Sequence, residues 1–240
     1  MTELTALRSF IDIRAFAETA SVAPLRGEAD WLAQRALLPL APSPLTVGVA
    51  AFDAAHGSVE GLPGDEVVIL VGGTLEIESA AGTLSLAAGE SATLPAGSSF
   101  RWRAGATTRA IIVGYDTPSG AAPAPIAIEL DAPLVPSGTP LPELLVGDEL
   151  PACRTHEDYR SVDGRFYSGT WDSTPYHRVA MTYRQTELMQ ILQGEVTFVD
   201  GAGRTCTART GDIVIIEQGA DCSWVSRVHV KKMYVIHRPD

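Results

Sequence analysis

One pattern occurs twice in this 240-residue chain, and such a repeat restricts the fold more than any single motif does. The pattern consists of an acidic residue, a short apolar run, two glycines and a tryptophan, in that order. The spacing within the second copy is longer than that within the first by one residue. The matching pairs are Glu66 and Glu187, Gly73 and Gly194, Gly89 and Gly211, and Trp102 and Trp224. A repeat that covers so much of a chain indicates a duplicated domain.

Both copies carry the pattern of an all-β domain. Short runs rich in Val, Ile, Leu, Thr and aromatic residues alternate with glycine-containing turns such as SAAG, AAGE, DGAG and RTGD. Strands separated by turns about eight to twelve residues apart are typical of sandwiches and barrels. Helical periodicity is best developed in residues 4–18 and 29–37.

A proline-rich segment separates the copies. Residues 116–142 contain seven prolines, which exclude a helix or a central strand and favour an extended connector. The sequence therefore predicts an N-terminal extension (1–45), a first barrel (46–115), a connector (116–164) and a second barrel (165–240). The extension is expected to pack on the first barrel or to extend it.

Composition limits the partners and the location of the chain. No apolar run approaches the about 20 residues that cross a bilayer, and residues 1–20 do not resemble a secretion signal, so we expect a cytoplasmic protein with no membrane partner. A formal net charge of -11, with the two lysines side by side, argues against nucleic acid. The three cysteines lack the spacing of a disulfide framework or a zinc knot.

The repeated motifs resemble those of the cupin superfamily, whose motifs are G-x5-H-x-H-x3,4-E-x6-G and G-x5-P-x-G-x2-H-x3-N. The spacing from each glutamate to its glycine fits the first motif, and both copies fit the second, with Glu217 replacing the proline in copy two. The segments TWDSTPYHR, ELMQILQGEVTF and CSW are similar to an uncharacterised cupin subfamily that includes the ethanolamine-utilisation cupin and is related to ureidoglycine aminohydrolases. The resemblance implies an all-β fold of two tandem RmlC-like jelly-roll barrels.

The resemblance also implies a degenerate metal site. Metal-binding cupins use three histidines and the glutamate to bind Mn, Fe, Ni or Zn. In copy one, the histidine positions fall on Glu60 and Leu62, or Val59 and Gly61, and on Phe100. In copy two, they fall on Met181 and Tyr183, or Ala180 and Thr182, and on Cys222. No metal cofactor is therefore expected, and the remaining candidate ligands are Glu187, Cys222 and Tyr183.

The second copy carries the candidate binding residues. Side chains alternate faces along a strand, so Glu187 shares a face with Met189, and Cys222 shares one with Trp224. The cupin template points both faces inward, together with Tyr183, which predicts a mostly apolar pocket for a small organic ligand. Glu187 is the best catalytic candidate, because burial penalises its ionised form unless it is paired.

These residues also have ordinary structural explanations, and His177 is a further candidate. His177 follows STPY and could lie at the barrel mouth or on a solvated loop. Glu187 could be hydrogen-bonded to a neighbouring strand, Cys222 could be a small buried hydrophobe, and Trp224 could share a packing role with Trp102.

Several cations stand out in an otherwise acidic chain. They could attract a carboxylate ligand, or they could lie on solvated strand faces or in ion pairs. They are Arg101, Arg103, Arg109, Arg178, Arg184, Arg227, Lys231 and Lys232.

Three functions remain open at this point. The first is a small polar metabolite bound in the second barrel, with the first barrel structural. The second is a metal-dependent hydrolase or isomerase similar to ureidoglycine aminohydrolases, and the third is a structural or assembly protein without small-molecule chemistry. The chain is expected to form a homodimer, or to be a monomer in which the two barrels pair.

Overall fold

The computed structural model describes residues 9–116, 124–147 and 149–239. Within these residues the chain divides into two compact units. The first barrel comprises residues 15–128 and 159–166, and the second barrel comprises residues 9–14, 129–158 and 167–239. The N-terminal segment thus contributes to both units.

The first half of the chain contains one short helix and a series of strands. They are β1 (Ile11–Asp12), α1 (Ile13–Thr19), β2 (Leu25–Glu28), β3 (Ala36–Leu37), β4 (Leu45–Val59), β5 (Asp65–Gly72), β6 (Thr74–Ser79), β7 (Gly82–Ala87), β8 (Ser91–Leu94), β9 (Phe100–Ala104), β10 (Thr108–Tyr115) and β11 (Ile126–Ala127).

The second half contains a short 3₁₀ helix at Pro142–Leu144 and further strands. They are β12 (Val135–Pro136), β13 (Cys153–Arg160), β14 (Phe166–Ser173), β15 (Tyr176–Thr182), β16 (Thr186–Gln193), β17 (Glu195–Val199), β18 (Thr205–Arg209), β19 (Ile213–Ile216), β20 (Asp221–Ser226) and β21 (Val230–His237). Among the described residues, no helix is long and apolar enough to span a membrane.

The first barrel is formed by one sheet that bends along β4. The strand order is β11-β8-β5-β10-β4-β9-β6-β7, with β2 and β3 also paired to β4. The first part of β4 pairs with β10 and its last residues pair with β9. Between the two parts, Ala54 adopts a φ of 52°, and this local turn lets one strand serve both faces of the barrel.

The second barrel repeats this order with the long strand divided in two. β19-β16-β21-β14 form one sheet face and β15-β20-β17-β18 form the other. Pro175 lies between β14 and β15, where it can neither donate to a ladder nor continue a central strand. β1 extends this barrel by pairing with β19. The predicted fold of two tandem jelly-roll barrels is confirmed.

The glycine after each glutamate is required by a tight turn. Gly73 has a φ of 77° and Gly194 has a φ of 82°, a region that other residues rarely adopt. A Cβ atom on Gly194 would also lie 2.1 Å from the carbonyl oxygen of His229. The conformation explains why both copies have glycine between the strand that carries the glutamate and the next strand.

The helical expectations were met only in part. Helix α1 covers Ile13–Thr19, whereas residues 1–8 lie outside the described residues. The predicted helix at 29–37 was wrong. Trp31 packs in the core of the first barrel, and Ala36 pairs with Val49 of β4. The apolar residues of this segment therefore make two separate sets of contacts and do not form one face of a helix.

Candidate functional site

The glutamate of the second copy lies inside the second barrel, paired with a lysine. Glu187 is 6% exposed, and Met189, on the same face of β16, belongs to the core of this barrel. Lys232 Nζ, on the neighbouring strand β21, donates a hydrogen bond of 2.6 Å to Glu187 Oε1. Gln185 Nε2 donates to the other carboxylate oxygen at 3.1 Å. Both oxygens of the buried carboxylate therefore have donors.

Lys232 itself is enclosed by sulfur and aromatic rings. Its Nζ lies 3.3 Å from the Met189 sulfur, 4.7 Å from the ring centroid of Trp171 and 5.0 Å from that of Trp224. An ammonium over an indole face is attracted by the ring quadrupole, and more strongly where water is excluded. The lysine is thus held by one charge pair and two cation–π contacts.

Lys232 was named from the sequence only as one of several cations and was not placed beside Glu187. The lysine aligns with Ala110 of the first copy, which is fully buried in the core of the first barrel. Its neighbour Lys231 points to the opposite face and pairs with exposed Asp131. Comparison of the two copies was the signal that could have assigned Lys232 to the interior.

Trp224 lies at the centre of an aromatic cluster. Its ring centroid is 5.8 Å from Trp171, 5.6 Å from Tyr176 and 5.5 Å from Phe198. Tyr176 is stacked on it, while the other two meet it edge to face, which are the favoured geometries for aromatic pairs. Trp171 and Tyr176 remain partly exposed, so this side of the cluster meets solvent.

A second cation, Arg178, lies on the interior side of β15. It is directly opposite Trp224 in the strand register and is 5% exposed. Its Nη2 donates a 3.2 Å hydrogen bond to the Tyr183 hydroxyl, and its guanidinium lies 5.4 Å from the Tyr183 ring centroid. Burial raises the pKa of Tyr183 well above its usual value, against the lowering effect of Arg178, so the phenol is neutral at physiological pH.

The thiol of Cys222 is also buried and protonated. Its side chain belongs to the core of the second barrel. Burial raises the pKa of Cys222 to about 11, although Arg178 and a hydrogen bond with Tyr183 act in the opposite direction. A thiol in this state is a poor nucleophile and a poor metal ligand at neutral pH.

We therefore expect Cys222 to react with iodoacetamide at pH 7.5 at least about tenfold more slowly than Cys206, which is more exposed. Peptide mass spectrometry over a time course measures both rates. In guanidinium chloride the two thiols should react equally, which controls for local sequence effects. Equal rates in the folded protein would contradict the burial of Cys222.

The structure does not bring His177 to this group. His177 is exposed and lies opposite Val225, so it faces away from the side that carries Arg178 and Trp224. It does bring together Tyr183, Glu187, Met189, Cys222 and Trp224 in one core. Their predicted roles in binding or catalysis remain predictions.

In the first barrel, the corresponding glutamate is bound by the N-terminal segment. Arg35 Nη1 donates to Glu66 Oε1 at 2.6 Å and Nη2 donates to Oε2 at 3.2 Å. Trp31 Nε1 donates to Oε2 at 2.7 Å. Trp31 also packs against Phe52 and against Phe100, which stands at the third histidine position of the motif. Side chains therefore fill the interior of this barrel around its glutamate.

Among the described residues, no group of three or more His, Cys, Asp and Glu side chains is arranged to hold a metal ion. The donors to the motif glutamate are instead Arg35 and Trp31 in the first barrel, and Lys232 and Gln185 in the second.

Comparison with known proteins supports the fold and the assignment of the second copy. Residues 160–234 match the model of the EutQ-like cupin domain family. A protein of unknown function of the DUF861 family from Pseudomonas syringae pv. tomato is 27% identical, with 91% of this chain and 93% of that chain covered and a TM-score of 0.78. No curated protein matched the chain.

More distant solved structures share the fold alone. A cupin 2 conserved barrel domain protein from Leptotrichia buccalis is 10% identical, with 98% of each chain covered and a TM-score of 0.59. Oxalate decarboxylase from Lactobacillus farciminis is 12% identical, with 99% of this chain and 88% of that chain covered and a TM-score of 0.51.

Proposed function

We propose that this chain, a bicupin of the cupin superfamily, binds a small polar metabolite inside its second barrel without a metal ion, and that its first barrel is structural. The main support for this proposal is the 2.6 Å hydrogen bond from Lys232 Nζ to Glu187 Oε1. It places a side-chain cation on the carboxylate that the cupin template would use as a metal ligand.

The donor set of the second barrel does not fit a divalent transition metal. Ligand thiols and phenols bind metals as anions, but Cys222 and Tyr183 are both protonated at neutral pH. The carboxylate of Glu187 is already neutralised by Lys232, and Arg178 adds a second positive charge nearby. Like charges would oppose the entry of a further cation.

The same residues suit an organic ligand. Hydrogen-bond donors and charges lie next to the faces of Trp171 and Trp224, and Trp171 and Tyr176 are partly exposed. Pockets for small molecules combine an apolar lining with a few polar groups that fix the orientation of the ligand. The first barrel offers no comparable arrangement, because Trp31 and Arg35 already occupy the surroundings of Glu66.

The four tryptophans provide a direct test, since two lie in each barrel. With ¹⁵N-labelled indoles, small polar compounds at millimolar concentration should shift the N–H signals of Trp171 and Trp224 and leave those of Trp31 and Trp102 in place. The reason is that Trp171 is partly exposed and both Trp171 and Trp224 lie beside Lys232, whereas Trp31 and Trp102 are buried in the first barrel. Single Trp→Phe variants assign the four signals.

Metal analysis of the same samples separates the alternatives. Metal at background by plasma mass spectrometry, together with shifts confined to the second barrel, supports the proposal. Near-stoichiometric metal that is lost in Glu187→Ala would instead favour the metal-dependent enzyme. Signals that stay in place with every compound tested would favour the structural or assembly protein.

A further inference from the structure

Two cations and one carboxylate, Arg178, Lys232 and Glu187, are buried close together in the second barrel. Glu187 and Lys232 form one neutral pair at 2.6 Å. Arg178 is a second buried cation, and Asp200, which acts electrostatically on the adjacent Cys222, is itself held by Arg204 at 2.7 Å. Because burial keeps Tyr183 and Cys222 protonated, neither supplies a negative charge to Arg178, which forms no ion pair among the described residues.

The contacts of Arg178 are with neutral atoms. Its Nη2 donates to the Tyr183 hydroxyl at 3.2 Å and its Nη1 to the Val179 carbonyl at 3.4 Å, and both distances are long for a charged donor. Arg178 is only 5% exposed. Among the described residues, no carboxylate lies within ion-pair distance of its guanidinium. A buried charge without a counter-charge is costly, and an anion that binds next to it recovers part of that cost.

The direction of Arg178 places this charge beside the aromatic cluster. Arg178 and Trp224 are opposite each other in the register of β15 and β20, so both side chains project to the same side of the sheet. Tyr176, two residues earlier on β15, projects to that side as well and stacks on Trp224. A ligand with its negative group at Arg178 would therefore lie beside the aromatic side chains of this cluster.

We infer that Arg178 is the anchor for a small organic monoanion, a carboxylate whose planar or apolar body lies against Tyr176 and Trp224. This inference rests on the proposed function of the second barrel. The guanidinium fork matches a carboxylate with two parallel hydrogen bonds. A single cation without an ion pair favours a monoanion over a dianionic phosphate, and Lys232 is not the anchor because Glu187 already neutralises it.

Pairs of carboxylates and their uncharged amides test the inference in the wild-type protein. Acetate with acetamide, propionate with propionamide, and benzoate with benzamide differ mainly in charge. We expect the carboxylate of at least one pair to bind about ten- to a hundredfold more tightly than its amide, from titration of the Trp224 indole signal. Inorganic phosphate is titrated in parallel and should bind more weakly than that carboxylate.

Substitution of the arginine provides the second measurement. Arg178→Gln should lower the affinity for the carboxylate about ten- to a hundredfold while leaving the affinity for its amide unchanged. Arg178→Lys keeps the charge but not the fork and should lose less. Arg184→Gln is the matched control, because Arg184 is exposed in the loop between β15 and β16 and should leave both affinities as in the wild type.

The outcomes distinguish this inference from the proposed function. Amides that bind as tightly as carboxylates, or phosphate that binds more tightly, overturn the carboxylate assignment while leaving the proposed function standing. If neither carboxylates nor neutral compounds move the signals of Trp171 and Trp224, the proposed function fails and the inference fails with it. Because the carboxylate–amide comparison uses the wild type, it decides the question even if Arg178→Gln does not fold.

Discussion

Replacement of Trp31 by alanine is expected to lower the free energy of unfolding of the first barrel by about 3–5 kcal/mol. Trp31 is fully buried and packs against Phe52, Phe100 and Trp102 at centroid distances of 5.5–5.9 Å. Its removal leaves a cavity that rigid neighbouring strands cannot close. It also removes the 2.7 Å hydrogen bond to Glu66, so the buried carboxylate keeps only Arg35 as a donor.

The measurement needs a reporter for each barrel, because the two units can unfold separately. In a urea titration followed by indole N–H signals, Trp102 reports on the first barrel and Trp224 on the second. We expect the midpoint of the Trp102 signal to fall and that of Trp224 to stay. Leu32→Ala is the matched control, since Leu32 is 45% exposed and should change stability by no more than about 0.5 kcal/mol. If Trp31→Ala cost no more than this control, Trp31 would not be a core element of the first barrel.

The two barrels neutralise the same glutamate with cations of different origin. In the first barrel, Arg35 comes from the segment that precedes the repeat and brings Trp31 with it. In the second, Lys232 comes from the last strand of the repeat itself. The first solution places a segment of chain around Glu66, whereas the second leaves a lysine and an arginine beside partly exposed rings. This difference is the reason that we assign ligand binding to the second barrel.

The repeat predicted a duplicated all-β domain, and the resemblance to cupins supplied the jelly-roll fold and the inward direction of Glu187. Spacing fixed the place of both glutamates in the motif, and strand alternation put Glu187 and Met189 on one face of β16, as the structure shows. Both features are local, because period-two alternation and glycine turns are imposed by the backbone itself.

The partners of the glutamates were not predictable in the same way. Arg35 lies outside the repeat, in a segment whose periodicity resembles a helix, so nothing in its surroundings indicates a long-range ion pair. Lys231 and Lys232 are adjacent, and strand alternation alone does not say which of them faces the core; only the alignment of Lys232 with buried Ala110 does, and it does not indicate the pair with Glu187. His177 and Arg178 are also adjacent, and strand alternation does not say which of the two faces the interior. These contacts depend on tertiary packing, which a strand pattern does not encode.

Replacement of Lys232 by methionine is expected to destabilise the second barrel by about 3–5 kcal/mol, because it leaves Glu187 buried without its counter-charge. Glu187→Gln should also destabilise, since it leaves the Lys232 ammonium buried and unpaired. The double variant removes both charges together, so it should recover most of the loss. Urea titration followed at the Trp224 indole measures each variant.

The control for this prediction is the neighbouring lysine. Lys231 forms a pair of 3.1 Å with Asp131, whose side chain is fully exposed, and such pairs contribute about 0–1 kcal/mol. Lys231→Met should therefore change the Trp224 midpoint very little. A double variant whose loss equals the sum of the two single losses would mean that Glu187 and Lys232 do not act as a pair. Lys232 would then not stabilise the second barrel through Glu187. Recovery in the double variant would instead show that the Glu187–Lys232 ion pair contributes to the stability of this barrel.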